Sequence, residues 1–568
     1  RPLESPTVWR LRNSDPVAVE ALQEGLGLIP VTAQILVRRG IDSVCAAQSF
    51  LDPSLDELHS PFSFVQMEPA VERLLAAIER GERIVVHGDY DVDGITGTVV
   101  LLLALRAIGA DIDYLVPHRV DDGYGLKSRG VNRAHKKGAK VLIAVDCGTT
   151  DCVAAARARE LGIDLIIVDH HEPGDEIPQA TAILNPRLPD AGYPEHDMAA
   201  VGVAFKLARG VLERHPRGLR GTTLLKLVAL GTVADMVPLT GENRVIAYHG
   251  LQTMGETVNP GLRALMDFSG VRRRITSTDI GFRIAPRINA VGRIGHPKDA
   301  VEMFLADDPG EARRLAELLH KTNAKRKKIQ DKVIEEALKQ KPRDTASVVV
   351  VAGEWNRGVI GIVAARLVQE WGKPAVVIAI DETGAVGSAR SIPGFDIVRA
   401  LRKVSDLLEE FGGHPQAAGV TIRPENVEPL REALARTGGK ELELAMRQSE
   451  EIICDAELDF ENSLSSLARE LERLGPFGIG NPRPRLLCRD LRVESQRVIK
   501  DQHLKLRVSC GEQSVDAIAW RRSKLAEDLI EGVRFDAVVE LAINRWRGRS
   551  DPQLELIEVN VDSSVTIA

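Results

Sequence analysis

Three aspartates, Asp89, Asp91 and Asp93, recur at every second position in HGDYDVDG (87–94), directly behind the apolar run Ile84-Val85-Val86. An extended backbone sends alternate side chains to one side, so this spacing predicts three carboxylates crowded on one face. Like charges that close repel and raise one another's pKa unless something positive sits among them. Oxygen ligands suit magnesium or manganese, so a divalent metal site is one reading. An Asp-rich turn facing water is the other, and the string alone does not choose.

Three further stretches repeat the pattern. The apolar run 141–145 ends in Asp146-Cys147-Gly148, and 165–168 ends in Asp169-His170-His171. In LGTVADMVPL, Asp235 closes a largely apolar helical stretch that begins at Leu224. A carboxylate there must pair, cap or ligate, because a lone buried charge is costly. Singly, each Asp reads as a helix cap or turn residue. Together they supply what a two-metal site requires: a bridging carboxylate, further acids for each ion, and imidazole to complete the shell.

The elements that must position these residues alternate along the chain. Strand candidates at 84–86, 112–116, 141–145, 165–168 and 182–184 are separated by helical stretches such as 95–108 and 152–161. That rhythm predicts a parallel, doubly wound sheet with its site at the carboxyl ends of the strands. Around it the chain divides into a helical leader (1–50, with helices at 31–38 and 41–50), a catalytic α/β domain (51–305) and a long connecting helix (306–345). A second α/β domain (346–445) and a β-rich domain (446–568) follow. The connecting helix carries Leu315, Leu318, Leu319, Ile329, Val333 and Leu338 as a broken stripe and has no Gly or Pro over 311–341, which suits a rigid spacer. Strand candidates at 451–460, 504–509, 515–520, 535–543 and 553–559 fit a small oligonucleotide-binding barrel.

Composition excludes several classes. A hydrophobic fraction of 44% and a charged fraction of 27% describe an ordinary globular chain. The net charge of −7 argues against coating nucleic acid by charge alone, though local basic faces remain compatible with it. The six cysteines form no CxxC pair and no zinc spacing, as expected of reduced thiols in the cytoplasm. RPLESPTVWRLRN lacks the apolar core of a secretory signal, and the run 99–105 is far short of the ~20 residues of a membrane helix. A soluble, cytoplasmic chain is expected, and the missing initiator Met points to processing or trimming.

HGDYDVDG, VDCG, VDHH and GTVADMVPL, in this order and spacing, resemble the four motifs of the DHH phosphoesterase superfamily. Over nearly its full length the chain resembles the RecJ single-strand exonucleases, through PHRVDDGYGL (117–126), AAVGVAFKL (199–207) and APRINAVGRIG (285–295). GVIGIVAARL (358–367), GSARSIPGFD (387–396) and GGHPQAAG (412–419) extend the match into the second half. The resemblance implies two Mn2+ or Mg2+ ions held by Asp91, Asp93, Asp146, His170 and Asp235, with Asp146 as the bridge and His87 and Asp89 on the second ion. It implies that His171 stabilises charge near the scissile phosphate and that Asp169 orients a histidine. Cys147 reads as packing.

For the substrate, Ser388 and Arg390 stand two apart in an extended segment and would face the same way as a phosphate clamp. The pair Gly412-Gly413 lets a backbone approach a phosphate closely. The resemblance implies a terminal 5′-phosphate on Ser388 and Arg390, with Arg119 and Arg293. Arg287 and Asn289 are further substrate-binding candidates from the same motif, and His414 would sit near the metals when the domains close. Trp546, between Arg545 and Arg547, suits base stacking on a strand; Lys325-Arg326-Lys327-Lys328 and Arg272-Arg273-Arg274 are basic runs of less specific meaning.

The implied activity is 5′→3′ exonuclease action on single-stranded DNA, releasing 5′-mononucleotides in recombination and repair. The implied setting is a monomer beside a single-strand-binding protein and a helicase. A DHH phosphoesterase acting on short oligonucleotides or cyclic dinucleotides is the enzymatic alternative, and the added terminal segments favour a polymer over it. A non-catalytic replication scaffold is the other alternative, and it predicts missing ligands where this chain has every position filled.

Overall fold

The computed structural model describes residues 8–118, 123, 125–215, 221–272, 274–343, 345–448, 451–458, 460, 463–546 and 548–561. They form two compact units: one gathers both ends of the chain, through Ser54 and from Arg447 onward, and the other runs from Leu55 to Met446. The chain opens in the first unit with strand β1 (Val8–Leu11) and the helices Pro16–Leu26, Pro30–Arg38 and Val44–Leu51. The third helix starts later than the expected 41 because Ser43 caps it, its side chain accepting from the Ala46 N–H.

In the second unit, β2 (Ile84–Gly88), β3 (Ile112–Leu115), β4 (Val141–Val145), β5 (Asp164–Val168) and β6 (Ala182–Leu184) form a sheet in the order β3-β2-β4-β5-β6. Every pair in it is parallel, as expected. Strands β2 and β4 are buried at all residues, which is why they read as apolar runs and not as alternation. The order reverses at β2 and β4, so the connections on either side leave in opposite directions and open a crevice at the strands' carboxyl ends.

The helix Pro309–Lys339 starts at Asp308, whose side chain accepts from Glu311 N at 2.7 Å. Its Leu315, Ala316 and Leu319 join the core of the first sheet, while Val333 and Ala337 join that of the next lobe. It is a beam shared by two cores, not a bare spacer. Leu318 leaves the expected stripe and is exposed, because the buried line follows Leu315 and Leu319, one turn apart.

The second lobe holds β7 (Val349–Gly353), β8 (Ala375–Asp381), β9 (Gly384–Arg390), β10 (Glu410–His414) and β11 (Ala417–Ile422), ordered β10-β11-β9-β8-β7. Only β7 and β8 are parallel within it. Val348 and Val350 face one core and Val349 and Val351 the other, so both faces of this sheet are covered.

The terminal unit continues with β12 (Glu451–Cys454), which pairs with β1, and β13 (Ala456–Glu457). Then β14 (Leu486–Ile499), β15 (His503–Cys510), β16 (Gln513–Ala519), β17 (Arg534–Trp546) and β18 (Arg549–Asn560) close into a barrel. Pairing runs β14-β15-β16-β18-β17 and returns from β17 to β14. The five-stranded barrel is of the expected type, but its membership differs: 451–460 stays outside the ring and β14 replaces it. The sequence LLCRDLRVESQRVI hides this strand because only its first residues are buried in a run. After Cys488 a bulge and a left-handed Asp490 break the pattern. Leu22, Ile35 and Leu36 from the leader are fully buried in one core with Leu467 of the helix Leu464–Glu472 and with barrel residues such as Leu504 and Leu506. Among the described residues, no helix is long and apolar enough to cross a membrane.

Candidate active site

The three aspartates of HGDYDVDG do not line one face of a strand. Strand β2 ends at Gly88, and the helix Val92–Ala107 begins three residues earlier than the expected 95. Asp91 is its N-cap, accepting from the N–H groups of Asp93 (3.0 Å) and Gly94 (3.2 Å). Asp93 lies in the first turn. The carboxylates still converge, through a tight strand-to-helix turn rather than through strand alternation.

Asp93 is held from a distance in sequence. Its two oxygens accept from Ala200 N and Val201 N, each at 2.7 Å, at the start of the helix Ala200–Arg214. That helix has no side-chain cap of its own. Asp93 fills the role, and the positive end of the helix dipole favours its charge. Against that, burial and then Asp91 push the Asp93 carboxyl up to about 7.

Asp146 follows β4 with φ 62°, a left-handed backbone that is rare outside glycine. Its Oδ1 stands 3.3 Å from His170 Nε2, which is also 3.7 Å from Asp235 Oδ2 and 3.8 Å from Asp93 Oδ2. Burial, then Asp93, Asp91, Asp89 and Asp235, raise the Asp146 carboxyl well above its ordinary value. Asp235, at the end of the helix Leu225–Ala234, is pushed up to about 9 by burial and then by Asp93 and Asp91. His170 is drawn down to about 4, by burial first and by its neighbour His171 second. It is thus a neutral imidazole with a lone pair to offer.

Asp169 plays the orienting part expected of it. Its Oδ1 accepts from His170 N (2.8 Å) and lies 2.7 Å from His171 Nδ1, while Oδ2 accepts from Thr149 N (3.0 Å). Burial alone would raise this carboxyl, but the bonds from His171 and Thr149 outweigh it and hold it well below the usual range. His171 responds inversely: burial lowers it, and Asp169 more than restores it. Cys147 is buried, 3.6 Å from the Val145 carbonyl oxygen and 3.9 Å from His87 Nδ1, with its thiol pushed up by burial. It sits in packing, where burial disfavours the thiolate that would act as nucleophile.

Three groups have ligand atoms that all lie within 4.8 Å of one another: Asp89-Asp91-Asp146, Asp146-His170-His171 and Asp93-His170-Asp235. Asp146 and His170 each belong to two of them, so the groups chain into one centre at the sheet's crevice. His87 is buried beside it and lies outside the three groups. The donor set fits a divalent cation, since carboxyls crowded enough to be pushed toward neutrality regain their charge when a cation sits among them.

In the second lobe, Ser388 and Arg390 do face the same way on β9, with Arg390 Nη1 donating to Ser388 Oγ at 3.1 Å. The helix Ile360–Trp371 begins against them; a Cβ on Gly361 would lie 3.1 Å from Ser388 Oγ and 3.2 Å from Arg390 Nη2. Gly412, Gly413 and His414 are exposed on β10. Arg287 is turned inward, with Nη2 on the Phe268 carbonyl at 3.0 Å, Nη1 on that of Arg283, and Nε at 3.2 Å from His320 Nδ1. Asn289 Oδ1 accepts from Val92 N (3.2 Å), and Arg293 Nη1 donates to the Gly358 carbonyl (3.1 Å). Arg119, Arg273, Arg547 and the side chain of Trp546 lie outside the described residues. Arg545 pairs with Glu472 at 2.7 Å, and Arg326 is buried on Asn323 and Gln330.

The barrel adds residues the sequence reading missed. Trp520, just past β16, is 50% exposed, and its ring centroid lies 5.0 Å from that of His503. The same end of the barrel carries exposed Arg497, Lys500, Arg521 and Lys524. An aromatic beside cations is the arrangement on which single-strand bases stack. The signal was legible as Trp520-Arg521-Arg522, a twin of Arg545-Trp546-Arg547.

Profiles of known families match along the chain: the N-terminal domain of the DHH family over 83–232, the DHHA1 domain over 344–437 and the RecJ OB domain over 454–558. The single-stranded-DNA-specific exonuclease RecJ of Bacillus subtilis is 37% identical over 98% of this chain and 71% of its own length. Its namesake in Escherichia coli is 35% identical over 86% of this chain and 89% of its own. A crystal structure of RecJ from Thermus thermophilus in complex with Mn2+ superposes with a TM-score of 0.84 at 30% identity, covering 98% of this chain and 80% of that one. With its catalytic sheet, second lobe and barrel all accounted for, the chain belongs to the RecJ family.

Proposed function

We propose that this chain is a metal-dependent exonuclease that degrades single-stranded DNA from the 5′ end to 5′-mononucleotides, in recombination and repair. The observation that carries it is the chained set of carboxylate and imidazole groups meeting at Asp146 in the crevice between β2 and β4. The RecJ relatives, named for single-stranded DNA and solved with Mn2+ or Mg2+, support the same substrate and metals.

In this reading Asp93, His170 and Asp235 hold one ion, Asp89 and Asp91 hold the second with His87 beside it, and Asp146 bridges. Manganese or magnesium held there supplies an activated water at neutral pH and offsets charge on the phosphodiester. Asp169 fixes His171 with its Nδ1 proton directed inward, so that the opposite edge of the ring serves the scissile phosphate. Ser388 and Arg390 hold the terminal 5′-phosphate and set the cut one nucleotide in, with Arg119 and Arg293 as further contacts. Water adds to phosphorus, the bond to the 3′-oxygen of the terminal nucleotide breaks, and a nucleoside 5′-monophosphate leaves. The barrel holds the rest of the strand. In this reading the enzyme works as a monomer in the cytoplasm, beside a single-strand-binding protein and a helicase.

The test is digestion of single strands labelled at either end, with manganese or with a chelator, alongside a cyclic dinucleotide. Release from the 5′ end that stops on chelation is expected. Release from the 3′ end, or cleavage of the cyclic dinucleotide alone, overturns the reading.

A further inference from the structure

The helix Ala285–Ile294 follows a π-helical turn, Ile280–Ile284, a feature often found at functional sites. One face of it rests on the turn that carries the metal-binding acids. Within the helix Val92–Ala107, the N–H groups of Val92, Asp93 and Gly94 have no carbonyl one turn back to receive them. Asp91 Oδ1 takes those of Asp93 and Gly94. The remaining one, from Val92, goes to Asn289 Oδ1. One turn on, Gly292 lies so close that a Cβ there would stand 2.5 Å from the Tyr90 carbonyl oxygen. The turn from Tyr90 to Asp93 is therefore fixed from outside by two residues of one helix.

The next residue, Arg293, touches the second lobe. Its Nη1 donates to the Gly358 carbonyl, and a Cβ on Gly358 would overlap the Arg293 carbonyl. Three residues further, Gly361 abuts Ser388 and Arg390. The path from the metal turn to the phosphate clamp thus includes two close backbone approaches, Gly292 on Tyr90 and Gly358 on Arg293, which leave little slack between the lobes.

We infer that this helix is a brace, with Asn289 and Gly292 as positioning residues, through which a 5′-phosphate on Ser388 and Arg390 tightens the metal-binding turn. The inference rests on the reading of the site given above. It makes 5′-end recognition and metal binding reciprocal, since a coupling free energy acts equally in both directions.

The experiment is calorimetry of Mn2+ binding to the intact chain. Asn289→Leu removes the acceptor at similar size, and its Mn2+ affinity should fall ~10-fold or more, as for other supports of metal ligands. Asn289→Asp keeps an acceptor oxygen and should stay within ~3-fold of the parent. Should Asn289→Leu fail to fold, Gly292→Ala serves with the same readout. A 5′-phosphorylated oligothymidylate with uncleavable methylphosphonate linkages should tighten Mn2+ binding ~5-fold relative to its 5′-hydroxyl counterpart. Gly358→Ala, which adds a Cβ against the Arg293 carbonyl, should shrink that difference toward onefold. Parent-like Mn2+ affinity in Asn289→Leu, or no effect of the 5′-phosphate in the parent, overturns the brace. A parent chain that binds no Mn2+ overturns the metal site itself, which is a separate and distinguishable failure.

Discussion

Two residues beside the candidate metals sit in left-handed backbone that side chains ordinarily avoid: Asp146 at φ 62° and Met236 at φ 64°. Each such conformation costs roughly 1–2 kcal/mol, and it persists where the surrounding structure holds it for function. For Asp146 the purpose is plain, since the turn aims its carboxylate into the centre shared with His170. Asp146→Ala should reduce turnover on the order of a thousandfold or more, read by single-turnover assays, because groups acting as a unit are lost together. Strand binding measured by fluorescence anisotropy should survive in that variant. Met236, next to Asp235, is 67% exposed, so its side chain adds little to the core. Met236→Gly should therefore raise stability by about 1 kcal/mol in denaturant titration. Asp146 and Asp235 were legible in the sequence because each closes a largely apolar element, and Asp91 and His170 because they lie a few residues beyond the apolar runs of β2 and β5. That Asp93 caps the helix Ala200–Arg214 was not, since the helix starts on Ala200 with no polar residue to announce the missing cap.

At the scale of elements, the strands that read clearly are those buried on both faces. The runs at β2, β4 and β5 need no partner to be recognised, and their parallel order follows from the helices between them. Strand β14 escaped because it is buried only in part, and its bulge displaces the alternation midway. The barrel end around Trp520 joins neighbouring ends of β14, β15 and β16: Trp520-Arg521-Arg522 is legible in the sequence, but Arg497 and Lys500 reach it only through the pairing of those strands. If that end holds a base, Trp520→Ala should weaken single-strand binding by about 1–3 kcal/mol while the rate on saturating short substrate is kept. Equilibrium titration with fluorescent oligothymidylate checks it, and unchanged affinity would move the strand elsewhere on the barrel.

At the scale of the molecule, the Leu55–Met446 unit contains the complete cores of both catalytic lobes, with the helix Pro309–Lys339 shared between them. A fragment of residues 55–446 should fold cooperatively and cleave short 5′-phosphorylated strands. Its apparent affinity for long strands should drop by on the order of tenfold or more, because the second point of attachment is gone. Comparing KM on short and long strands tests this; equal losses on both would show that the catalytic unit depends on the terminal one.

The terminal unit has the opposite character. Among the described residues strand β1 pairs with β12 alone, and the leader's Leu22, Ile35 and Leu36 are buried against a barrel encoded far downstream. During synthesis the leader is made before the barrel, so its apolar residues stay uncovered until strands β14 to β18 follow. The cutting machinery between them can fold in the meantime. A chain stopped before β14 thus holds the folded candidate active site without its barrel, and leaves the leader's apolar residues without cover.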